Sequence, residues 1–489
     1  MTRWRARAWR GHVASVVVAA VLSGCPLAPP PQHTDVLEHA LPKDTSVPPA
    51  WSATAGGDEV SGDWLKSFDD PRLDAVVAEA IANNLDLRQA AAQVEIARQN
   101  IVIAGARLLP QIGARVGGAI TKAEGQAGTF KSNDEYLAAA WEIDVWGRLR
   151  AQRAGARASY EGSALDYAFA RQSLAATAAQ SWYLAVATRQ LVALARESVA
   201  LFSELLELVK LRRTAGKVGD LDVAEASANL NVAESQVRTV EGLYADARRN
   251  LEVLIGRYPA AELEIAETFA LLPPPVAAGM PSSLLERRPD LVAAERQVLA
   301  AFRTQEAARL ALLPSIGLVV DGGQLSSGVL SLLRLNPWLA HGAIGMDLPI
   351  YQAGSLRAQI KIATAQQEQA VARYGAAVLT AFREVEAALT NQELLAQRLQ
   401  YEQRALGDRS EAVRIAKLRY QAGAIDLLSV LHLQAEQIAS QGEVIKLRSA
   451  QLANRIQLHL VLGGSFDAQP AAQQPSPAPE STLGLTTTE

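Results

Sequence analysis

Two stretches of this 489-residue chain, Leu149 to Tyr258 and Gln352 to Gln469, each run for more than 100 residues without proline, although the chain has 22. A helix interior excludes proline at a cost of ~3 kcal/mol, because the ring removes an N–H and clashes with the preceding turn. Each stretch is broken by one glycine turn, at Gly216 and at Gly423. The spacing predicts a helix from about Arg148 to Ala215 and a counterpart from about Ser355 to Ala422, each on the order of 100 Å long at ~1.5 Å per residue. Leu184, Leu191, Leu194, Val199, Leu201, Leu205 and Leu208 mark an apolar stripe at helical spacing. A single soluble domain has no room for such helices, so they read as staves of a coiled coil or of a helical barrel.

The two stretches belong to a duplication. Leu108-Leu109-Pro110-Gln111-Ile112-Gly113 returns 204 residues later as Leu312-Leu313-Pro314-Ser315-Ile316-Gly317. Lys210-Leu211-Arg212-Arg213-Thr214-Ala215-Gly216 returns 207 residues later as Lys417-Leu418-Arg419-Tyr420-Gln421-Ala422-Gly423, and Leu254-Ile255-Gly256 meets Val461-Leu462-Gly463 at the same shift. A unit of roughly 200 residues is too long for a solenoid repeat and predicts two copies of one layout around a shared axis. The expected repeats are 61–257 and 289–464, joined by 258–288. Each carries a β-hairpin (111–146; 315–350) and a long helical hairpin (148–256; 355–463). In the former segments Gly, Ser, Val, Ile and Ala dominate and the helical period fails. Leu137–Trp146 and Trp338–Ile350 read as strands of about ten residues, enough to cross a bilayer when tilted. Four strands cannot close a barrel, so transmembrane strands would require oligomerisation.

The N-terminus reads as an export signal. Arg3, Arg5, Arg7 and Arg10 precede an apolar run, Val13 to Leu22, too short to span a bilayer. It ends in Leu22-Ser23-Gly24-Cys25, which predicts a signal peptide over 1–24 and lipid on Cys25, the only cysteine; the alternative is an ordinary secretory peptide. Three acyl chains would anchor the protein firmly. Residues 25–60 read as a lipidated tether and 465–489 as a disordered tail. The net charge of -4 becomes -8 without the first 24 residues, leaving no basic stripe for nucleic acid.

No phosphate-cradling GxxxxGK[ST] loop, HExxH or GxSxG occurs. His12, His33, His39, His341, His432 and His459 lack metal-ligand spacing, and three methionines form no soft-metal ladder. No catalytic residue, metal or cofactor is expected beyond the covalent lipid at Cys25. Trp141, Trp146 and Trp338 read as a membrane-interface girdle and end packing in preference to a ligand cage.

The lipobox, Trp141-Glu142-Ile143-Asp144-Val145-Trp146-Gly147-Arg148-Leu149-Arg150, Arg288-Pro289-Asp290-Leu291 with Ala293-Ala294-Glu295, and Leu348-Pro349-Ile350-Tyr351-Gln352-Ala353-Gly354 together resemble the outer-membrane channel lipoproteins of tripartite efflux pumps, relatives of TolC and OprM. The resemblance covers about residues 60 to 464. It implies a mixed, mainly α fold: a homotrimeric outer-membrane β-barrel with four strands per chain, continuing into a long periplasmic α-helical barrel. It also implies a passive conduit in the outer membrane of a Gram-negative bacterium, docked on a periplasmic adaptor and an inner-membrane transporter of the RND type. Type I protein secretion is the same-class alternative, and a periplasmic coiled-coil scaffold lipoprotein is the alternative from another class.

The same resemblance supplies site residues. Asp222 and Tyr420 match a family aspartate and tyrosine that bond across neighbouring helices at the periplasmic aperture. The family's acidic aperture positions are Ser429 and His432 here, and Ile425 stands where an arginine is sometimes found. Asp426, Ser429 and His432, spaced i, i+3 and i+6, predict one helical stripe. In a trimer this stripe would place a carboxylate ring and an imidazole ring at a constriction whose charge varies with pH. The alternative is that these are polar positions at a solvated helix end. The turn motifs containing Arg212, Gly216, Arg419 and Gly423 match the family's adaptor-contacting tips, with glycine supplying the left-handed cap.

Overall fold

A computed structural model describes residues 27–45, 47–52, 63–121, 130–326 and 339–464, with side chains described there except at 119–121, 130–135, 324–326 and 339. Cys25, Trp338, much of the expected tether and the tail from 465 lie outside the described residues. The helices are α1 His33–Ala40, α2 Pro71–Asn83, α3 Leu85–Ala106, α4 Arg148–Thr214, α5 Asp220–Leu254, α6 Pro281–Arg287, α7 Pro289–Leu310, α8 Ser355–Gln421 and α9 Leu427–Val461. The strands are β1 Gln111–Thr121, β2 Phe130–Ile143, β3 Ser315–Ser326 and β4 Leu339–Asp347, and a short 3-10 helix spans Trp64–Phe68. The chain is thus mainly helical with one small antiparallel sheet. Two compact units emerge, one from residues 1–46, 91–166 and 290–377, the other from 47–90, 167–289 and 378–489, and neither coincides with a sequence repeat.

The first unit holds the sheet, a meander in the order β1-β2-β3-β4 in which β1 and β4 each have one strand neighbour. Directly paired residues share a face, so the register sorts the side chains. Ile112 opposite Ala139 and Val320, Ala114 opposite Leu137, Trp141 opposite Leu318 and Ile344, and Ile143 opposite Ile316 and Met346 all fall on one face. The other carries Gln111, Arg115, Tyr136, Glu142, Asp321, His341 and Asp347, with His341 Nδ1 3.1 Å from Asp321 Oδ1. Among the described residues nothing covers the apolar face at Ile112 and Val116, 77% exposed, or at Ile344, 72% exposed. Among the described residues no helix is long and apolar enough to cross a membrane.

The expected strand Leu137–Trp146 starts earlier and ends earlier than hydropathy suggests. Asp144 leaves the sheet to cap α4, its Oδ1 accepting from the Leu149 N–H at 3.0 Å and its Oδ2 from the Arg150 N–H at 2.9 Å. Gly147, at φ 86°, makes the corner. Trp146 Nε1 donates to the Pro314 carbonyl at 2.7 Å and Trp141 Nε1 to the Leu108 carbonyl at 3.0 Å, so both indoles fasten the Leu-Leu-Pro turns.

The part of the expected tether that is described is docked rather than loose. In the first unit α1 lies against α8 so closely that a Cβ on Gly375 would collide with the Ala40 carbonyl oxygen. His33 Nδ1 is 3.0 Å from Glu295 Oε2, and its ring meets the buried Tyr374 edge-on. In the second unit Trp51 packs edge-on against Phe382, donates to the Ala278 carbonyl at 3.3 Å, and Ser52 Oγ donates to Glu386 at 2.6 Å. Gly375→Val places a branched side chain where a carbonyl stands. It is expected to release residues 33–41, read as new proteolytic cleavage between α1 and Trp51 in protein that is otherwise folded.

The core of the second unit gathers Trp64, Phe68, Leu73 and Val77 against the alanine-rich middle of α4, the end of α5 and the end of α9. Ala175, Ala178, Ala179 and Ala185 are fully buried, and their small side chains let neighbouring elements approach closely. Asp70 joins the layers, one oxygen capping α2 through the Arg72 and Leu73 N–H groups, the other accepting from Trp182 Nε1 at 3.0 Å. Arg288, buried at the inter-repeat junction, donates to Glu384 at 2.8 Å and lies over the Phe169 ring.

Glu252 organises the connection after α5. Its carboxylate is 2% exposed and accepts from the Ala261, Glu262 and Leu263 N–H groups at 2.7, 2.6 and 2.8 Å. Burial pushes its pKa up, but the three backbone donors outweigh it and hold the group below its ordinary value. With the folded pKa depressed, the stabilisation is complete above the unfolded value of ~4.3 and is lost as pH falls through the lower folded value. Glu252→Ala strands three donors and is expected to cost about 2–4 kcal/mol, with hydrogen exchange quickening first at 260–265. In that variant the acid-dependent part of the loosening should vanish.

Candidate functional site

The site is built by the two helical turns, both in the second unit. The α4–α5 and α8–α9 hairpins end alike. Gly216, at φ 68°, closes α4 with Gly216 N–H donating to the Arg213 carbonyl and Lys217 N–H to the Arg212 carbonyl, both at 2.9 Å. Gly423, at φ 77°, closes α8 with the matching bonds to the Tyr420 and Arg419 carbonyls, also at 2.9 Å. These are Schellman caps that satisfy carbonyls a helix end leaves orphaned. The duplicated motifs thus form duplicated turns.

The turns are joined by an apolar cluster of Phe202, Leu205, Leu206, Val209, Leu427, Val430, Leu431 and Tyr420. Tyr420 is 2% exposed, and its hydroxyl has no partner. Burial raises its pKa, Arg212 opposes this, and Asp222 adds to it. The expected Asp222–Tyr420 hydrogen bond is therefore not made within this chain. Asp222 Oδ2 instead accepts from the Gly219 N–H at 3.0 Å, fixing the start of α5.

Arg212 takes the central place. Its Nη1 donates to the Tyr420 carbonyl at 2.5 Å and reaches the Gln421 carbonyl at 3.4 Å, while the guanidinium lies 4.5 Å over the Tyr420 ring. Its Nε is buried without a partner. Within this chain Arg212 is held by the tyrosine ring and two helix-end carbonyls of the second hairpin. Its repeat counterpart Arg419 is exposed, and the intervening Arg213 pairs with Asp220 at 2.5 Å. Two identical Lys-Leu-Arg motifs have acquired different jobs, because only Arg212 faces the other hairpin's tyrosine.

The expected stripe of Asp426, Ser429 and His432 also changes. Asp426 stands before the first turn of α9 as its N-cap, Oδ1 accepting from the Ser429 N–H at 2.8 Å. Hydrogen bonds from Ser429, side chain first and backbone second, hold its carboxyl below the usual range, so it stays ionised between pH 5 and 8. His432 Nε2 is 3.3 Å from Glu436 Oε1, a pair at i,i+4 on the exposed face of α9. The first member of the stripe is thus spent on the cap, and His432 turns to a different carboxylate. Among the described residues no group of three or more His, Cys, Asp or Glu could hold a metal ion.

A sequence model of the family "outer membrane efflux protein" matches residues 76–257 and 280–464. The pyoverdine export outer membrane protein OpmQ of Pseudomonas aeruginosa is 33% identical over 471 residues, spanning 93% of this chain and 97% of that protein. The toluene efflux pump outer membrane protein TtgF of Pseudomonas putida is 31% identical over 480 residues, spanning 95% and 99%. The open-state crystal structure of the outer membrane channel MtrE of Neisseria gonorrhoeae superposes with a TM-score of 0.78 at 25% identity, covering 90% of this chain and 99% of that one. The chain belongs to the outer membrane efflux protein family, whose members form the outer-membrane duct of efflux pumps and are not enzymes.

Proposed function

We propose that three copies of this chain close their sheets into one 12-stranded barrel, β1 of each pairing with β4 of the next. The observation that carries this reading is the two-faced sheet with two unpaired edges. In a bilayer every backbone group must be bonded, so open edges need partners, and the apolar face must meet lipid while the polar face lines water. The long helices α4 and α8, with α5 and α9, continue the conduit as a periplasmic barrel that tapers at the two turns. Cys25 carries the lipid that anchors the N-terminus. Asp222, Tyr420, Asp426, Ser429 and His432 belong to the aperture, and Arg212 holds its two hairpins together at rest. Arg419, Gly216 and Gly423 meet a periplasmic adaptor, and an RND-type inner-membrane transporter supplies the energy. The cargo is small organic molecules, the class to which the named relatives' pyoverdine and toluene belong.

The test is edge pairing. One cysteine at Gly113 on β1 and one scanned along Gly342, Ala343 and Gly345 on β4, with Cys25 replaced, are expected to give oxidised dimers and trimers at one register. Monomers throughout the scan would contradict the barrel. Palmitate labelling that persists after Cys25→Ser would count against the anchor.

A further inference from the structure

Among the described residues Arg455 is a buried cation with no ion-pair partner. It stands on α9 between Leu452 and Ile456 of the second unit's core and is 4% exposed. Its Nη1 donates to the carbonyl oxygens of Pro273, at 2.6 Å, and Pro274. Its Nε is buried with no acceptor. Burial lowers its pKa, and no carboxylate counters the effect. A guanidinium nonetheless keeps its proton, so a full positive charge sits here with two neutral carbonyls for company.

The residue faces a cavity of about 710 Å³. Pro273, Pro274 and Pro275 form one wall; they carry no N–H and their φ angles are fixed, so this wall is rigid and offers only carbonyls. Leu272, Leu395 and Ala396 add apolar surface. Two polar neighbours already hold partners. Glu393 accepts from Gln397 Nε2 at 3.0 Å, and Asn454 Nδ2 donates to the Ala388 carbonyl at 2.9 Å. Gln392 Oε1, also lining the cavity, is buried without a donor.

We propose that this cavity binds a small organic carboxylate, its oxygens on the Arg455 guanidinium and its apolar body against the proline wall. The planar fork of a guanidinium matches a carboxylate through two parallel hydrogen bonds. The apolar wall disfavours a hydrated inorganic ion. The site lies apart from the turns and does not depend on conduction.

The test uses the full-length protein in detergent and 4-fluorobenzoate as probe, followed by fluorine NMR, with 4-fluorobenzyl alcohol as the neutral match and inorganic phosphate as competitor. Saturable binding of the acid and none of the alcohol is expected. Ala396→Trp, which fills the cavity and leaves Arg455 in place, should weaken binding at least tenfold. Arg455→Lys, which keeps the charge and loses the fork, should weaken it about tenfold. Absence of saturable binding to the wild type, or equal binding to folded Ala396→Trp protein, would overturn the proposal. Full displacement by phosphate at matched concentration would overturn its organic part, leaving a simple anion site.

Discussion

Ile344→Arg is expected to prevent folded insertion, whereas Ala343→Arg, one residue earlier on the same strand, leaves it intact. Ile344 lies opposite Leu318 on the apolar face, and Ala343 lies opposite Val319 on the face that carries Asp321 and His341. An arginine on the lipid face of an outer-membrane barrel costs about 2–4 kcal/mol near the midplane. Three copies per barrel triple this, to about 6–12 kcal/mol, comparable with the whole stability of an ordinary domain. Heat-modifiable migration of extracted outer membranes reads the outcome: folded oligomer for Ala343→Arg, unfolded or absent protein for Ile344→Arg. Equal behaviour of the two would mean that the faces are misassigned.

The second large effect is expected at Arg212. Removing its side chain deletes charge-assisted bonds to the Tyr420 and Gln421 carbonyls and the stacking over Tyr420. Together these are worth about 2–4 kcal/mol for a partly buried guanidinium. Arg212→Ala is therefore expected to loosen the α8–α9 turn from the α4–α5 turn and to raise the open probability of the proposed aperture by about one and a half to three orders of magnitude. Vancomycin sensitivity of cells carrying the variant, alone and with Arg419→Ala, provides the readout. Arg419→Ala should leave sensitivity unchanged while reducing adaptor crosslinking. Reversed phenotypes would contradict this division of roles between Arg212 and Arg419.

The long helices were legible because proline is excluded from helix interiors over long distances, and because Gly216 and Gly423 each supply a left-handed cap that few other residues tolerate. The strands were less so. Phe130 to Glu135 is largely polar and reads as a loop, yet its backbone pairs along β1. Asp144 lies in a run that reads as strand but turns onto the N-terminus of α4. The apolar and polar faces became clear only once the register was known, because Gly and Ala at alternate positions blur the period. The docking of α1 was missed, although a tryptophan at 51 and a glycine inside a long helix at 375 both hinted at close contact. The roles of Arg212 and Asp426 were hidden for a different reason: each depends on a neighbour brought by tertiary packing or by the exact start of a helix, neither of which local spacing encodes.

The proposed conduit is a continuous water-filled path with a closable aperture. Single-channel current through the purified protein in planar lipid bilayers measures that directly, with Arg212→Ala recorded beside the wild type. Discrete, stable openings are expected, brief and rare in the wild type and long-lived in the variant at the same unit conductance. Silence from both proteins, inserted as folded oligomers, would contradict it.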